Sequence, residues 1–311
     1  MSPKIEHVAI VGASLSTRRV AQIPTALGAF LEQRNQPKFY LMPNEPDNLC
    51  YLRSRREACA RQLLWLYKHA NAGHIGSSLS CLEILVELCF QRMDSDDIVV
   101  LSKGHAAGAL YTVLSMSGRL PEAELESFYC DGTLLAAHPP CGGAIKSVPF
   151  GTGSLGHGLG LASGLAFSQR FTGKAFRVYA VLSDGDCNEG STWEAVLFAA
   201  HHGLANLTVI VDLNGIQGIG YTRDVLKLEP VADKWRAFGF AVSVAKDGND
   251  FDSLALAHAE VLDSVGPRCI IARTVKGHGV SFMQDSVEWH YLPMKDDQYD
   301  RALSEICVTS A

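Results

Sequence analysis

The chain has 311 residues, 47% hydrophobic and 19% charged, which suits a globular α/β protein with a large buried core. A formal net charge of −6 leaves no basic surface for nucleic acid or an acidic membrane, and the densest basic run, Arg53-Ser54-Arg55-Arg56, reads as a solvated helix face. Nine cysteines without C-x-x-C spacing argue against a zinc site or disulfide framework. They point to a reducing, cytoplasmic setting, with no signal sequence evident and no apolar run near the roughly 18 residues of a membrane span.

In chain order, IEHVAIV (5–11) reads as a strand, 17–33 as a helix bent at Pro24, and KFYLM (38–42) as a second strand. MPNEPDN then reads as a linker, so residues 1–49 are expected to form a small β-α-β-like extension and 50–311 the main domain. Leu63, Leu64, Leu66 and Tyr67 recur at helical spacing within 52–69, and Ser77-Ser78-Leu79-Ser80 offers capping hydroxyls for a helix over 80–92. IVVL (98–101), RVYAVLS, LTVIVD, FAVSVA and CIIART are short apolar runs of the kind that become strands buried on both faces. Between them lie helical stretches: AAGALYTVL, the small-residue run after GTGSLGHGLG, STWEAVLFAAHHG ending at Gly203, about 230–238, and 251–263. This alternation predicts a doubly wound, mostly parallel sheet with helices on both faces.

Ligands in such sheets bind beyond the carboxyl ends of the strands, and the polar clusters fall there. They are Ser102-Lys103-Gly104-His105, Asp184-Gly185-Asp186, Asp212 with Asn214, and Lys276-Gly277-His278. Asp184 and Asn214 are one crossover apart. With a neighbouring carbonyl they form a hard oxygen set suited to Mg²⁺ or Ca²⁺ beside phosphate oxygens. The same two residues are also ordinary as a helix cap and a turn, and spacing alone leaves both readings open.

The run SDGDCNEGSTWEAVLFAAHHGLANLTVIVDLNGIQ resembles the thiamine-diphosphate motif of the transketolase family, G-D-G followed about thirty residues later by Asn, with Ser183 in place of the first glycine. ANAGHIGSSLS, LSKGHAAGALY, GTGSLGHGLG and TVKGHGVSF extend the resemblance over most of 52–292, in particular to the N-terminal subunit of split transketolases. The resemblance implies thiamine diphosphate with Mg²⁺ or Ca²⁺ as cofactors, and transfer of a two-carbon ketol unit from a ketose to an aldehyde. Asp184, Asn214 and the Ile216 carbonyl would hold the metal, Gly185 would admit the diphosphate, and Gly153, Ser154 and Leu155 would contact the cofactor rings. His74, His105, His138 and His290 would bind diphosphate or sugar oxygens and assist proton transfer, as imidazole near neutral pH can. Glu189 matches an acidic residue near the family's dimer interface that helps link the two active sites, and the resemblance counts it with the four histidines in the catalytic set. His278 is a further rim residue. His69, His201, His202 and His258 read as structural or solvent-facing, and His157 as support for its turn.

The family's pyrimidine-binding domain, with its catalytic Glu, is expected on a partner chain, the C-terminal subunit, in an α2β2 assembly working on sugars or sugar phosphates. Gly218 stands where many relatives have an aliphatic residue, a change expected to enlarge the pocket or alter cofactor packing. With the short segment between Phe90 and Ile98, it points toward a dedicated sugar or secondary-metabolite pathway. Other readings of the same motifs are a deoxyxylulose-phosphate synthase relative, one subunit of a 2-oxoacid dehydrogenase, and a non-catalytic scaffold; the four histidines and the intact Asp184, Asn214 and Glu189 favour ketol transfer.

Overall fold

A computed structural model describes residues 46–141, 145 and 148–308. The two strands and the helix expected before residue 46 lie outside the described residues. In chain order the helices are α1 (Pro46–His69), α2 (Ile75–Ser80), α3 (Leu82–Glu87), α4 (Ala107–Met116), α5 (Gly158–Thr172), α6 (Gly190–His201), α7 (Thr222–Val225), α8 (Val231–Ala237), α9 (Phe251–Glu260) and α10 (Asp296–Val308). The strands are β1 (Ile98–Leu101), β2 (Val178–Ser183), β3 (Leu207–Leu213), β4 (Ile216–Gln217), β5 (Gly220–Tyr221), β6 (Ala241–Ala245) and β7 (Arg268–Arg273).

Five strands form a parallel sheet in the order β1-β2-β3-β7-β6, as the apolar runs predict. Alternate residues on each strand face opposite layers. Val99, Leu101, Tyr179, Val181, Ile210, Ile270 and Ala272 join a core with residues of α1–α4, α9 and α10. Val100, Val178, Ala180, Leu182, Val209, Val211, Cys269 and Ile271 join another, with residues of α5, α6 and α8. Two apolar faces are therefore covered by two helical layers, which is why these strands carry few polar residues before their ends. No helix among the described residues is long and apolar enough to cross a membrane.

Several local expectations are corrected. α1 begins at Pro46, inside the stretch read as a linker; proline suits a first helical turn because its missing N–H has no partner there. Ser77, Ser78 and Ser80 do not cap a helix that starts at 80. They lie buried within α2, the helix is interrupted at Cys81, and α3 then ends in a π-helical turn, Leu88–Arg92. Buried partners at the sheet rim outcompete the capping role: Ser80 Oγ donates to Asp212 at 2.6 Å, and the Ser77 carbonyl accepts from Lys103 Nζ at 2.9 Å. α9 starts as its sequence suggests, with Asp250 accepting from the Ser253 N–H at 2.9 Å. The β4–β5 hairpin and α10 were not expected. In α10, the apolar side chains of Tyr299, Ala302, Leu303 and Ile306 fall on one helical face and pack into the α1 side of the core.

Candidate functional site

The carboxyl ends of β1, β2, β3 and β7 converge on one rim, where three buried carboxylates stand in different company. Asp186 is saturated: Oδ1 accepts from Ser102 Oγ at 2.6 Å and the Gly156 N–H at 2.9 Å, and Oδ2 accepts from the Ser183 N–H at 2.8 Å and Oγ at 2.9 Å. This knot ties together the loops after β1 and β2 and the glycine-rich turn before α5. It also explains Ser183, whose hydroxyl closes its own turn. Asp212 is saturated too, accepting from Lys103 Nζ, Ser80 Oγ and Thr274 Oγ1. Burial alone would lower the Lys103 pKa, but Asp212 beside it holds the ammonium charged, above its ordinary range.

Asp184 differs. It is 1% exposed and accepts from the Asn214 N–H (3.2 Å), the Gly215 N–H (2.9 Å) and Thr222 Oγ1 (2.9 Å). Burial nevertheless pushes its carboxyl up to about 6, because those neutral donors do not replace lost hydration. Asn214 Oδ1 meanwhile accepts from the Ile216 N–H at 3.0 Å. A carboxylate, an amide oxygen and local main chain thus gather around a buried carboxyl that is costly to ionise, which is donor chemistry suited to a hard divalent cation.

Four of the predicted histidines form one cluster. The His74 ring lies 5.7 Å from that of His105, 6.0 Å from His138 and 5.1 Å from His290; His105 and His290 are 5.2 Å apart. His74 has φ of 74°, a costly left-handed conformation for a non-glycine residue, and its N–H donates to the His290 carbonyl at 3.1 Å. Burial first, then the neighbouring His138 and Lys276, lowers the His74 pKa to about 4. Burial and then Lys276 lower His290 to about 3. His105, held down by burial and then Lys103, and His138, held down by burial, are shifted the same way. All four are neutral at pH 7, so each ring offers one donor and one acceptor.

Two lysines complete the rim, neither of them singled out from the sequence as an individual site residue. Lys276 is 1% exposed, and its Nζ lies 2.8 Å from His290 Nδ1. Burial, then Lys103, lowers its pKa to about 8, so it remains mostly charged at neutral pH and donates. His290 Nδ1 is then the acceptor, and Nε2 carries the proton. His278, chosen from the same motif, faces away: its Nε2 lies 3.7 Å from Glu83, and its carbonyl accepts from Arg56 at 3.4 Å. The signal available in the sequence was that a lysine followed two of the four strands in a K-G-H triplet.

The remaining predicted residues are placed as follows. Gly153 abuts His138, whose ring lies 2.7 Å from where a Cβ would stand. Leu155 packs against Gly185, where a Cβ would come within 2.8 Å of Leu155 Cδ1. Ser154 is exposed. Glu189 is also exposed, at the N-cap of α6, and sits beside Gly156 rather than in the histidine cluster. His157 Nδ1 lies 3.3 Å from the Ser154 and Leu155 carbonyls, consistent with a turn-supporting role. His69 stacks on Trp65, and His258 is buried beside Glu87.

Residues 63–308 match the family model described as transketolase, thiamine diphosphate binding domain. The chain is 37% identical over 273 residues to one subunit of the apulose-4-phosphate transketolase of Actinobacillus succinogenes, spanning 84% of this chain and 98% of that one. It is 34% identical over 244 residues to a 6-deoxy-6-sulfo-D-fructose transketolase subunit from a Clostridium species, spanning 75% and 88%. Among solved structures, the transketolase of Campylobacter jejuni superposes with a TM-score of 0.75 at 27% identity, covering 83% of this chain but 43% of that one. The chain therefore matches subunit-sized relatives nearly end to end and spans less than half of that solved transketolase.

Proposed function

The chain belongs to the transketolase family and carries its thiamine-diphosphate-binding domain, and on that premise we propose that it is the cofactor-anchoring subunit of a two-component ketol transferase. The reading rests on one observation above the others: neutral His74, His105, His138 and His290 face one another at the rim that also holds Asp184 and Asn214. The names of the subunit-sized relatives support a separate partner chain. We assign to that partner the pyrimidine-binding domain and its glutamate, in an α2β2 complex working in the cytoplasm.

The residues fit the cofactor. Gly185 leaves open a cradle that any Cβ would fill, directly beside Leu155 and next to Asp184. Asp184, Asn214 Oδ1 and the Ile216 carbonyl would hold Mg²⁺ or Ca²⁺, and the metal's charge would draw the Asp184 proton off. Gly153, Ser154 and Leu155 would line the ring portion, and Lys276 with His105 would meet the diphosphate end. Bound there, thiamine diphosphate supplies the electron sink that makes carbon–carbon cleavage of a ketose accessible.

The chain's own groups do the positioning and proton handling. Lys276 fixes the His290 tautomer, so Nε2–H is a donor toward a sugar hydroxyl or carbonyl oxygen. His74 and His105, held neutral by burial, accept or return a proton without carrying lasting charge. Glu189, outside this cluster, is assigned to contact between two copies of the chain.

The test is a donor screen with the complete two-chain complex, supplying ketoses or pyruvate together with an aldehyde acceptor. Ketol transfer requires loss of the ketose and a product two carbons longer than the acceptor. Turnover of pyruvate alone would instead mark a 2-oxoacid enzyme.

A further inference from the structure

Gly218 lies in the two-residue turn between β4 and β5. Its φ is outside the left-handed region, so conformation does not demand glycine there. Space does. A Cβ at 218 would stand 2.5 Å from Tyr291 Oη and 3.1 Å from His290 Nε2. The place left by the missing side chain is therefore not simply a larger pocket, since two hydrogen-bonding atoms from another segment converge on it.

Tyr291 is held for this role at several points. Its N–H donates to the Glu288 carbonyl at 3.0 Å, and its own carbonyl lies against Gly73, where a Cβ would stand 2.5 Å away. Its ring lies 4.8 Å from that of His290 and 6.3 Å from that of His74, at the outer side of the histidine cluster. The residue remains 58% exposed, accessible to a ligand that reaches the histidines. A phenol hydroxyl both donates and accepts, as a sugar hydroxyl does, so the two can pair in either direction.

We propose that Tyr291 is a specificity-determining residue for ketol transfer, its hydroxyl and His290 Nε2 jointly reading one hydroxyl of the sugar chain, with Gly218 keeping the phenol's place open. The inference rests on the ketol-transfer reading above. It makes 218 and 291 a coupled pair: a methyl group at 218 displaces the phenol, whereas once the hydroxyl is gone the same methyl group asks only that His290, 3.1 Å away at Nε2, give by a few tenths of an ångström.

The experiment uses the complete complex loaded with thiamine diphosphate and Mg²⁺, comparing wild type, Tyr291→Phe, Gly218→Ala and the double variant. Ketose binding is read by calorimetry, and kcat and KM from the transfer assay. Loss of one neutral hydrogen bond should raise the ketose Kd and KM about 3- to 10-fold in Tyr291→Phe, with kcat and thiamine diphosphate affinity little changed. Preference for the ketose over analogues deoxygenated at single positions should fall by the same factor for one analogue. Gly218→Ala should reproduce the loss in the wild-type background and add little to Tyr291→Phe. An unchanged KM and unchanged preference in Tyr291→Phe, or additive effects of the two substitutions, would overturn the assignment while leaving ketol transfer standing. A wild-type complex that holds thiamine diphosphate but neither binds nor converts any ketose would overturn both.

Discussion

The two ends of the parallel sheet use similar residues in opposite ways. At the amino ends of the strands a cleft of about 570 Å³ is lined by Arg170, Arg177, Arg268, Asp94 and Asp97. Its cations are already engaged. Arg268 donates to the carbonyls of Ala205 (2.8 Å), Val261 (2.9 Å), Leu262 (3.0 Å) and Ser264 (3.1 Å), and Arg177 Nε donates to Asp97 at 2.9 Å. At the carboxyl ends Lys276 faces an imidazole nitrogen rather than a carboxylate, four histidines are held neutral, and Asp184 is pushed toward protonation. Charges that fasten the fold find partners of opposite sign or several carbonyls. The rim groups proposed to meet a ligand are buried without such compensation, and the fold bears that cost. A cleft's size therefore says less about function than whether its polar groups are already satisfied.

The largest effect that would sharpen this contrast is expected at Asp184. Asp184→Ala should weaken thiamine diphosphate binding in the presence of Mg²⁺ by at least about 100-fold, roughly 3 kcal/mol, in a calorimetric titration of the complex. Burial pushes the carboxyl up to about 6 in the cofactor-free chain, and on the proposed reading only its ionised form would bind the metal. Cofactor affinity should accordingly fall below pH 6, approaching tenfold per pH unit as the protonated form dominates. Arg268→Ala should do the reverse, destabilising the chain by about 2 kcal/mol in urea unfolding with cofactor affinity unchanged. A matching loss of affinity there would break the distinction between the two rims.

Lys276→Met should cost about tenfold in cofactor affinity by removing a charge-assisted contact. Because burial, then Lys103, lowers the lysine to about 8 in the cofactor-free chain, wild-type affinity should decline as pH rises through 8, and the variant should lose that decline. The smallest effect belongs to Ser183→Gly. It removes the hydroxyl bond to Asp186 and should lower stability by about 1 kcal/mol while leaving cofactor affinity intact.

Much of this architecture was legible because parallel strands covered on both faces must be continuously apolar. VYAVLS and LTVIVD therefore declare themselves, and their polar termini mark the rim. The gathering of His74, His105, His138 and His290 was legible only through the family resemblance, since the four come from distant segments. What was not legible was side-chain direction. Lys276 and His278 flank Gly277, whose φ of 77° turns the chain so that the lysine enters the site and the histidine turns to Glu83. The serines of α2 look like caps in sequence because nothing local reveals that Asp212 and Lys103 will compete for them across the sheet. Tyr291 was invisible for the same reason: its bearing on Gly218 exists only once the β4–β5 hairpin and the segment after β7 meet. The α10 helix, by contrast, had readable spacing in Tyr299, Ala302, Leu303 and Ile306.

The central claim is that the carboxyl-end rim is a thiamine diphosphate site completed by a second chain. It is tested most directly by titrating thiamine diphosphate with Mg²⁺ into this chain alone, into its complex with a pyrimidine-domain partner, and into the same complex carrying Asp184→Ala. The account predicts tight binding in the wild-type complex, weak binding in the lone chain and none in the variant complex. A folded, associated wild-type complex that takes up no thiamine diphosphate would contradict it.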